Sequence, residues 1–237
     1  MVATGSKKNP STEALTMSTQ IGRQTVVVGA GMAGLPAARA LADYFEHVVV
    51  LERDTLPTDA SHRAGTAQSK HVHALLGGQR AHSELFPGFE QDLAGAGAVP
   101  LRVGLDVRIE IPGYDPFPQR DLGWITYSMS RPLIELMVRE RVEPHPNITL
   151  RQRCRAQNVV ATSDNAAVTA IRFENGDGKS EMLTADLVVD ASGRGNLTSA
   201  LLESLGHRQP EETVIGVDIG CATAVFATTT VRLTGKA

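Results

Sequence analysis

The sequence predicts an α/β fold: a Rossmann-like parallel sheet built on a βαβ unit, joined to an antiparallel β-meander. Three observations carry this. The β-branched run Gln24–Val28 leads through a glycine turn into an apolar-faced helical stretch and a second apolar run, His47–Leu51. Alternating segments between Ile148 and Thr184 are joined by Ser163-Asp-Asn165 and Asn175-Gly-Asp-Gly178, and Asn-Gly is a strong hairpin signal. The composition, 42% hydrophobic and 21% charged over 237 residues, is that of a folded chain able to bury a core.

Taken in order, residues 1–20 are rich in Ser, Thr and Lys, lack helical or strand periodicity, and have no apolar secretory core. They read as a flexible tail, in which Met17 is a second candidate start. Leu35–Phe45 follows the glycine turn as a helix, with Leu35, Ala38, Leu41, Ala42 and Phe45 on one face. Residues 57–70 are polar and read as a loop; His71–Phe86 reads as a helix closed by Pro87-Gly88. Leu101–Ile111 alternates as a strand, Pro112–Gly123 is a loop, and Trp124–Ser128 is a short strand. Arg131–Arg141 is an amphipathic helix. Ile148–Thr162, Ala166–Glu174 and Glu181–Thr184 form the meander. Ala185–Asp190 is a buried-type strand that turns through Ala191-Ser-Gly-Arg-Gly195 into a helix over Thr198–Leu205. A last strand is expected over Val214–Ala224.

Several function classes are excluded. A net charge of −3 and only six Phe, three Tyr and one Trp leave neither a basic field nor a stacking surface for nucleic acid. Two cysteines, Cys154 and Cys221, cannot build a disulfide framework or a four-sulfur metal site. Apolar runs such as Val48–Leu51 are too short to span a bilayer. A soluble, cytoplasmic protein is expected.

The sharpest chemistry is Gly29-x-Gly31-x-x-Gly34 with Glu52 eighteen residues beyond it. The first glycine permits a tight turn, the second lets a pyrophosphate approach the backbone, and the third lets helix and strand pack closely. The helix N-terminus then offers unpaired N–H groups and its positive dipole end to phosphate. Glu52, at the tip of the second strand, can accept from a ribose 2′-OH and would repel a 2′-phosphate. The pattern therefore fits FAD or NAD rather than NADP, and by itself does not separate the two. Pro36 lies near the helix start, where a missing N–H costs at most one hydrogen bond.

Four elements in this order resemble FAD-dependent monooxygenases of the p-hydroxybenzoate-hydroxylase-like family, with the glutathione-reductase-type FAD fold. They are Val26–Gly34, Glu52-Arg53, Ser130-Arg131-Pro132-Leu133 opening a helix, and Asp186–Gly195. The loop Gly65–Leu76 is similar to one in bacterial members acting on polyketide-type substrates, including polyether epoxidases. The similarity covers about residues 24–222. It implies that Gly29, Gly31, Met32, Ala33 and Gly34 bind the FAD pyrophosphate, that Glu52 binds the adenosine ribose, and that Arg53 flanks the adenine. It implies that Arg131 reaches the flavin or its phosphates. Asp190 and Gly193 match a second fingerprint facing FAD and associated with the nicotinamide donor, NADPH or NADH. The meander of residues 148–184 matches the crossover of the fold.

On this resemblance the expected function is oxidation of a small organic substrate, by hydroxylation or epoxidation, with NAD(P)H and O₂. Residues 21–210 would be the FAD-binding domain, carrying substrate-domain strands at about 99–128, and residues 211–237 the start of a truncated substrate region. Such enzymes run to nearly twice this length, and their later Gly-Asp-Ala motif is absent; Gly176-Asp177 sits in a hairpin turn. The alternatives are a catalytically incompetent FAD-binding fragment, one half of a split enzyme that needs a separate C-terminal half or a homo-oligomer, and an NAD-dependent reductase.

Other residues are weaker signals. His62, His71, His73 and His82 suggest a metal. On a helix His71 and His73 stand about 200° apart and cannot share an ion, whereas on a strand they could; no carboxylate or cysteine completes a ligand set, so no metal is expected. The cluster reads as a loop and helix start beside the flavin pocket; the alternative, within the resemblance, is that His71 and His73 line that pocket. Ser192 lacks the context of a nucleophile elbow. Cys154 reads as structural rather than reactive. Arg151, Arg153 and Arg155 alternate as one charged strand face, either solvated or touching the adenosine or NADPH phosphates.

Overall fold

The computed structural model describes residues 20–61, 72–74, 77–193, 195–218 and 220. Its centre is a four-stranded, all-parallel sheet. β1 (Gly22–Val28) runs through α1 (Gly34–Leu41) to β2 (Phe45–Leu51), the βαβ unit expected from the sequence. Phe45 belongs to β2 and not to the helix, which ends after Leu41. The buried Phe45 ring lies where a Cβ on Gly22 would meet it at 2.6 Å, so the two residues fix the start of the sheet together.

The next stretch departs from expectation. β3 (Val72–Ala74) is a strand where a helix was expected from residue 71, and α2 (Gly77–Leu85) begins only afterwards. Three residues of β3 pair antiparallel with a later strand, and that pairing overrides the local helical pattern. α3 (Phe89–Gly95) follows Gly88, whose φ of 85° makes the sharp turn. β4 (Val99–Arg102) is short: Leu101–Ile111 does not continue as a strand. Gly104 adopts φ 88° and Arg102 turns back to pair with Asp106 at 2.8 Å, closing the chain on itself. β5 (Ile125–Ser130) lies between β3 and β4 in a three-stranded antiparallel sheet.

α4 (Arg131–Val142) starts directly from β5, capped by Ser130, whose Oγ accepts from the Leu133 N–H at 3.3 Å. The long strand expected over Ile148–Thr162 is two strands in different sheets. β6 (Ile148–Arg151) completes the parallel sheet beside β2, while β7 (Arg155–Ala161) opens the antiparallel meander. Arg153, at φ 54°, makes the corner between them. β8 (Val168–Glu174) and β9 (Ser180–Thr184) complete the meander, with turns at Asn165 (φ 60°) and Gly178 (φ 75°) where the sequence placed them. β10 (Leu187–Asp190) returns to pair with β1, giving the order β10-β1-β2-β6, and α5 (Leu197–Ser204) follows. Residues 214–218 carry no strand; the rest of the strand expected to residue 224, apart from Gly220, lies outside the described residues.

The two central parallel strands, β1 and β2, are buried on both faces over their second halves, which explains their near-continuous valines. Val27, Val48 and Val50 point to one core with Leu35 and Ala38 of α1 and Ile134 and Val138 of α4. Val26, Val28, Val49 and Leu51 point to the other, against Ile171 and Phe173 of the meander. Thr25, fully buried in β1, is satisfied by donating its hydroxyl to the Leu187 carbonyl oxygen at 3.1 Å. No helix among the described residues is long and apolar enough to cross a membrane.

Candidate functional site

The carboxyl ends of β1, β2 and β10 open onto a cleft of about 640 Å³, within the range of small-molecule sites. Its walls bring together Gly29, Gly31, Met32, Ala33, Glu52, Arg53, Arg131 and Gly193, from segments up to 164 positions apart. Gly34 and Asp190 do not line it; both act on the turns that do.

In the first turn, Gly29 has φ 100°, and a Cβ there would meet the Ala191 carbonyl oxygen at 2.6 Å. A Cβ on Gly34 would overlap the Gly29 carbonyl oxygen. Both are glycines because backbone fills the space. Gly31 differs: nothing lies within 4 Å of its missing Cβ, so it leaves open room on the cleft wall. The first helical hydrogen bond is Leu35 N–H to the Gly31 carbonyl oxygen at 3.0 Å. The amides of residues 32–34 precede it and have no partner within the helix. Open room beside a helix N-terminus fits a pyrophosphate.

Glu52 is buried and already holds backbone: its Oε2 accepts from the Ala30 N–H at 2.8 Å and its Oε1 from the Asp54 N–H at 2.9 Å. The acid thus clamps the first turn to the tip of β2. Carboxylate oxygens accept more than one hydrogen bond, so this clamp is compatible with a further donor from the cleft. Arg53 is half-exposed and pairs with Asp54 at 3.7 Å. Arg131, the first residue of α4, pairs through Nε with Glu135 at 2.7 Å.

The second turn hangs on Asp190. Its Oδ1 accepts from the Ser192 N–H at 3.1 Å and hydroxyl at 2.6 Å, and its Oδ2 from the Thr198 N–H at 3.2 Å and hydroxyl at 2.7 Å. Burial pushes the Asp190 carboxyl up, but the hydrogen bonds from Ser192 and Thr198 outweigh it and hold it below the usual carboxylate range. Gly193, at φ 74°, then turns the backbone along the cleft.

The expected three-arginine face does not form. Arg151 lies over the Phe173 ring at 4.8 Å and pairs with Glu181 at 2.9 Å, Arg153 is the corner, and only Arg155 lines the cleft. Cys154 is buried, its thiol pushed up by burial and donating to the Gln152 carbonyl oxygen at 3.4 Å, as a structural cysteine would be. His82 stacks on Phe89 at 5.6 Å and is joined through Nδ1 to the Gly78 carbonyl oxygen at 2.6 Å. His62 and His71 lie outside the described residues. Of the alternating arginines, Arg155 is legible in the sequence as a candidate cofactor contact, but Cys154, Ala156 and Gln157 carry no local signal of a cleft wall, because the β6–β7 corner that brings them there is a long-range feature.

The family described as FAD dependent oxidoreductase matches residues 24–225. Protein Rv3254 of Mycobacterium tuberculosis is 32% identical over 211 residues, 85% of this chain and 44% of that protein. Among solved structures, the myxobacterial chondrochloren halogenase CndH, described as a variant of FAD-dependent halogenases, aligns at TM-score 0.58 and 21% identity over 76% of this chain and 39% of its own. A flavoprotein/dehydrogenase from Cytophaga hutchinsonii aligns at 0.57 and 17% over 81% and 44%. The flavin-dependent monooxygenase PieE, solved with FAD and substrate, aligns at 0.52 and 20% over 78% and 32%. The chain spans less than half the length of each, and at these identities the structures establish the shared fold.

Proposed function

The chain belongs to the FAD dependent oxidoreductase family, and from that premise we propose that residues 21–210 form the FAD-binding domain of a flavin-dependent monooxygenase of the p-hydroxybenzoate-hydroxylase-like group. In this reading residues at about 99–128 contribute strands of a substrate domain, and residues 211–237 belong to the start of the substrate region. One observation carries it: a single cleft is lined by the first glycine turn, by Glu52 and by the second turn at Gly193. A dinucleotide needs all three, for pyrophosphate, ribose and the second half of the molecule.

The chain's own residues then have these roles. The amides of Met32 and Ala33, beside the open room at Gly31, take the pyrophosphate. Glu52 accepts from the adenosine ribose while holding Ala30, and Arg53 flanks the adenine end. Arg131 reaches the phosphates or the flavin. Asp190 acts through the turn it ties, setting Gly193 against the cofactor. Bound FAD would supply electron uptake from NADH or NADPH and oxygen transfer from O₂ to a small organic substrate, as hydroxylation or epoxidation.

The first test is purification and the visible absorbance of the protein, before and after incubation with FAD. Bound flavin and a melting temperature raised by FAD are expected. A colourless protein stabilised by NAD and not by FAD would sink the reading. Oxidation of NADH against NADPH, with product and peroxide yields, then tests the monooxygenase step.

A further inference from the structure

We propose that Glu135 is a positioning residue, holding the Arg131 guanidinium ready for the anionic part of the cofactor. The inference rests on the FAD reading of the cleft. Both residues line it, one helical turn apart on α4. Their exposures differ sharply: the Glu135 side chain is 8% exposed and that of Arg131 37%. The carboxylate is therefore sunk into the wall while the guanidinium stays at the opening, the two joined at 2.7 Å through Nε.

A carboxylate at this position needs a reason. Its neighbours on α4, Ile134 and Val138, are core residues, and burying an ionised group costs more than burying an apolar one of the same size. A bare negative charge would also repel the phosphates the cleft is read to bind. Bonded to Nε, it becomes a fixed anchor for a long side chain. No other hydrogen-bond partner of Arg131 is found among the described residues, so its terminal nitrogens keep their donors for a ligand. An arginine ordered before binding loses less freedom when the ligand arrives.

The same stripe continues one turn further. Arg139, also buried, donates to the Pro57 carbonyl oxygen and pairs with Glu143 at 3.7 Å. Residues 131, 135 and 139 thus run from the cleft to the chain that leaves the tip of β2. The helix that aims Arg131 is tied to the segment carrying Glu52 and Arg53.

The test is the Kd for FAD of the full chain, read by flavin fluorescence and by visible circular dichroism of the bound flavin. Wild type is compared with Arg131→Ala, Glu135→Ala, Glu135→Asp, Glu135→Gln and the Arg131→Ala/Glu135→Ala double variant. Glu135→Ala is expected to weaken FAD about tenfold, a size usual for coupled neighbours. Glu135→Asp keeps the charge but withdraws it by one methylene, and is expected to weaken FAD similarly. Glu135→Gln keeps a hydrogen-bond acceptor in place and should recover most of the affinity. The double variant should bind no worse than Arg131→Ala. Wild-type affinity in Glu135→Asp, or additive losses in the double variant, would overturn the positioning role while leaving the cleft reading intact. Should Glu135→Ala fail to fold, the Asp and Gln variants decide. A wild-type chain that binds no FAD overturns both.

Discussion

At the turn between β1 and α1, a methyl group added to Gly34 would overlap the Gly29 carbonyl oxygen. At the turn between β10 and α5, the corresponding grip is four hydrogen bonds to one carboxylate, Asp190. The turns touch, since a Cβ on Gly29 would meet the Ala191 carbonyl oxygen at 2.6 Å, yet they are held by different physics. The first is set by contact between backbones and the buried Glu52 clamp. The second is set by polar bonds on an exposed residue. Where backbone contact sets the structure, as at Gly29 and Gly34, added volume is not tolerated. Bond-determined structure tolerates volume and answers to protonation.

The strongest way to break the contrast is Gly34→Ala. The added methyl has no room without parting helix from strand, so a loss of about 3 kcal/mol or more is expected in chemical denaturation, along with FAD binding. Next is Glu52→Ala, which takes the acceptor from the buried Ala30 N–H and the partner from the ribose. About 1.5–3 kcal/mol should be lost in FAD affinity, measured by titration, with some stability lost as well, whereas Glu52→Gln should lose less of each. Unchanged affinity in both variants would remove Glu52 from the site. Gly31→Ala sharpens the contrast from the other side. Its methyl enters open cleft, so the denaturation midpoint should hold within about 0.5 kcal/mol while FAD binding falls roughly tenfold.

The smallest effect belongs to the second turn. Asp190→Asn leaves one side-chain oxygen to accept where there were two, for a loss of roughly 0.5–1 kcal/mol given its exposure. Because the folded carboxyl titrates below its unfolded value, its contribution is present above about pH 4 and lost as pH falls through the lower folded value. Stability measured across that acid range should fall less steeply in Asp190→Asn than in wild type. An identical acid profile would show that Asp190 does not hold the turn.

The first turn was legible in the sequence because its parts are local: strand, glycines, helix and acid lie within Gly22–Glu52, and short-range sterics set their spacing. The two meander turns were legible for the same reason, each needing a left-handed residue that Asn165 and Gly178 supply. What escaped depended on distant partners. Val72–Ala74 is strand because β5 lies beside it, and a helical local pattern carries no sign of that neighbour. Residues 148–162 alternate throughout, so nothing in their pattern showed that Arg153 breaks them into two sheets. The cleft wall at Cys154, Ala156 and Gln157 was hidden with it, as was the use of Glu52 as a backbone clamp.

That corner has a consequence for how the molecule breathes. The tip of β2 is stitched to it by three backbone hydrogen bonds: Glu52 N–H to the Arg151 carbonyl oxygen, Cys154 N–H to the Glu52 carbonyl oxygen, both at 2.8 Å, and Arg153 N–H to the Asp54 carbonyl oxygen at 3.3 Å. No one of these can open far without loosening the others. In hydrogen–deuterium exchange the amides of Glu52, Arg153 and Cys154 should therefore exchange as one cooperative unit, although about a hundred residues of chain separate them. A ligand that slows exchange at Glu52 should slow it equally at Cys154, making the corner a reporter of cleft occupancy read from the side of the meander.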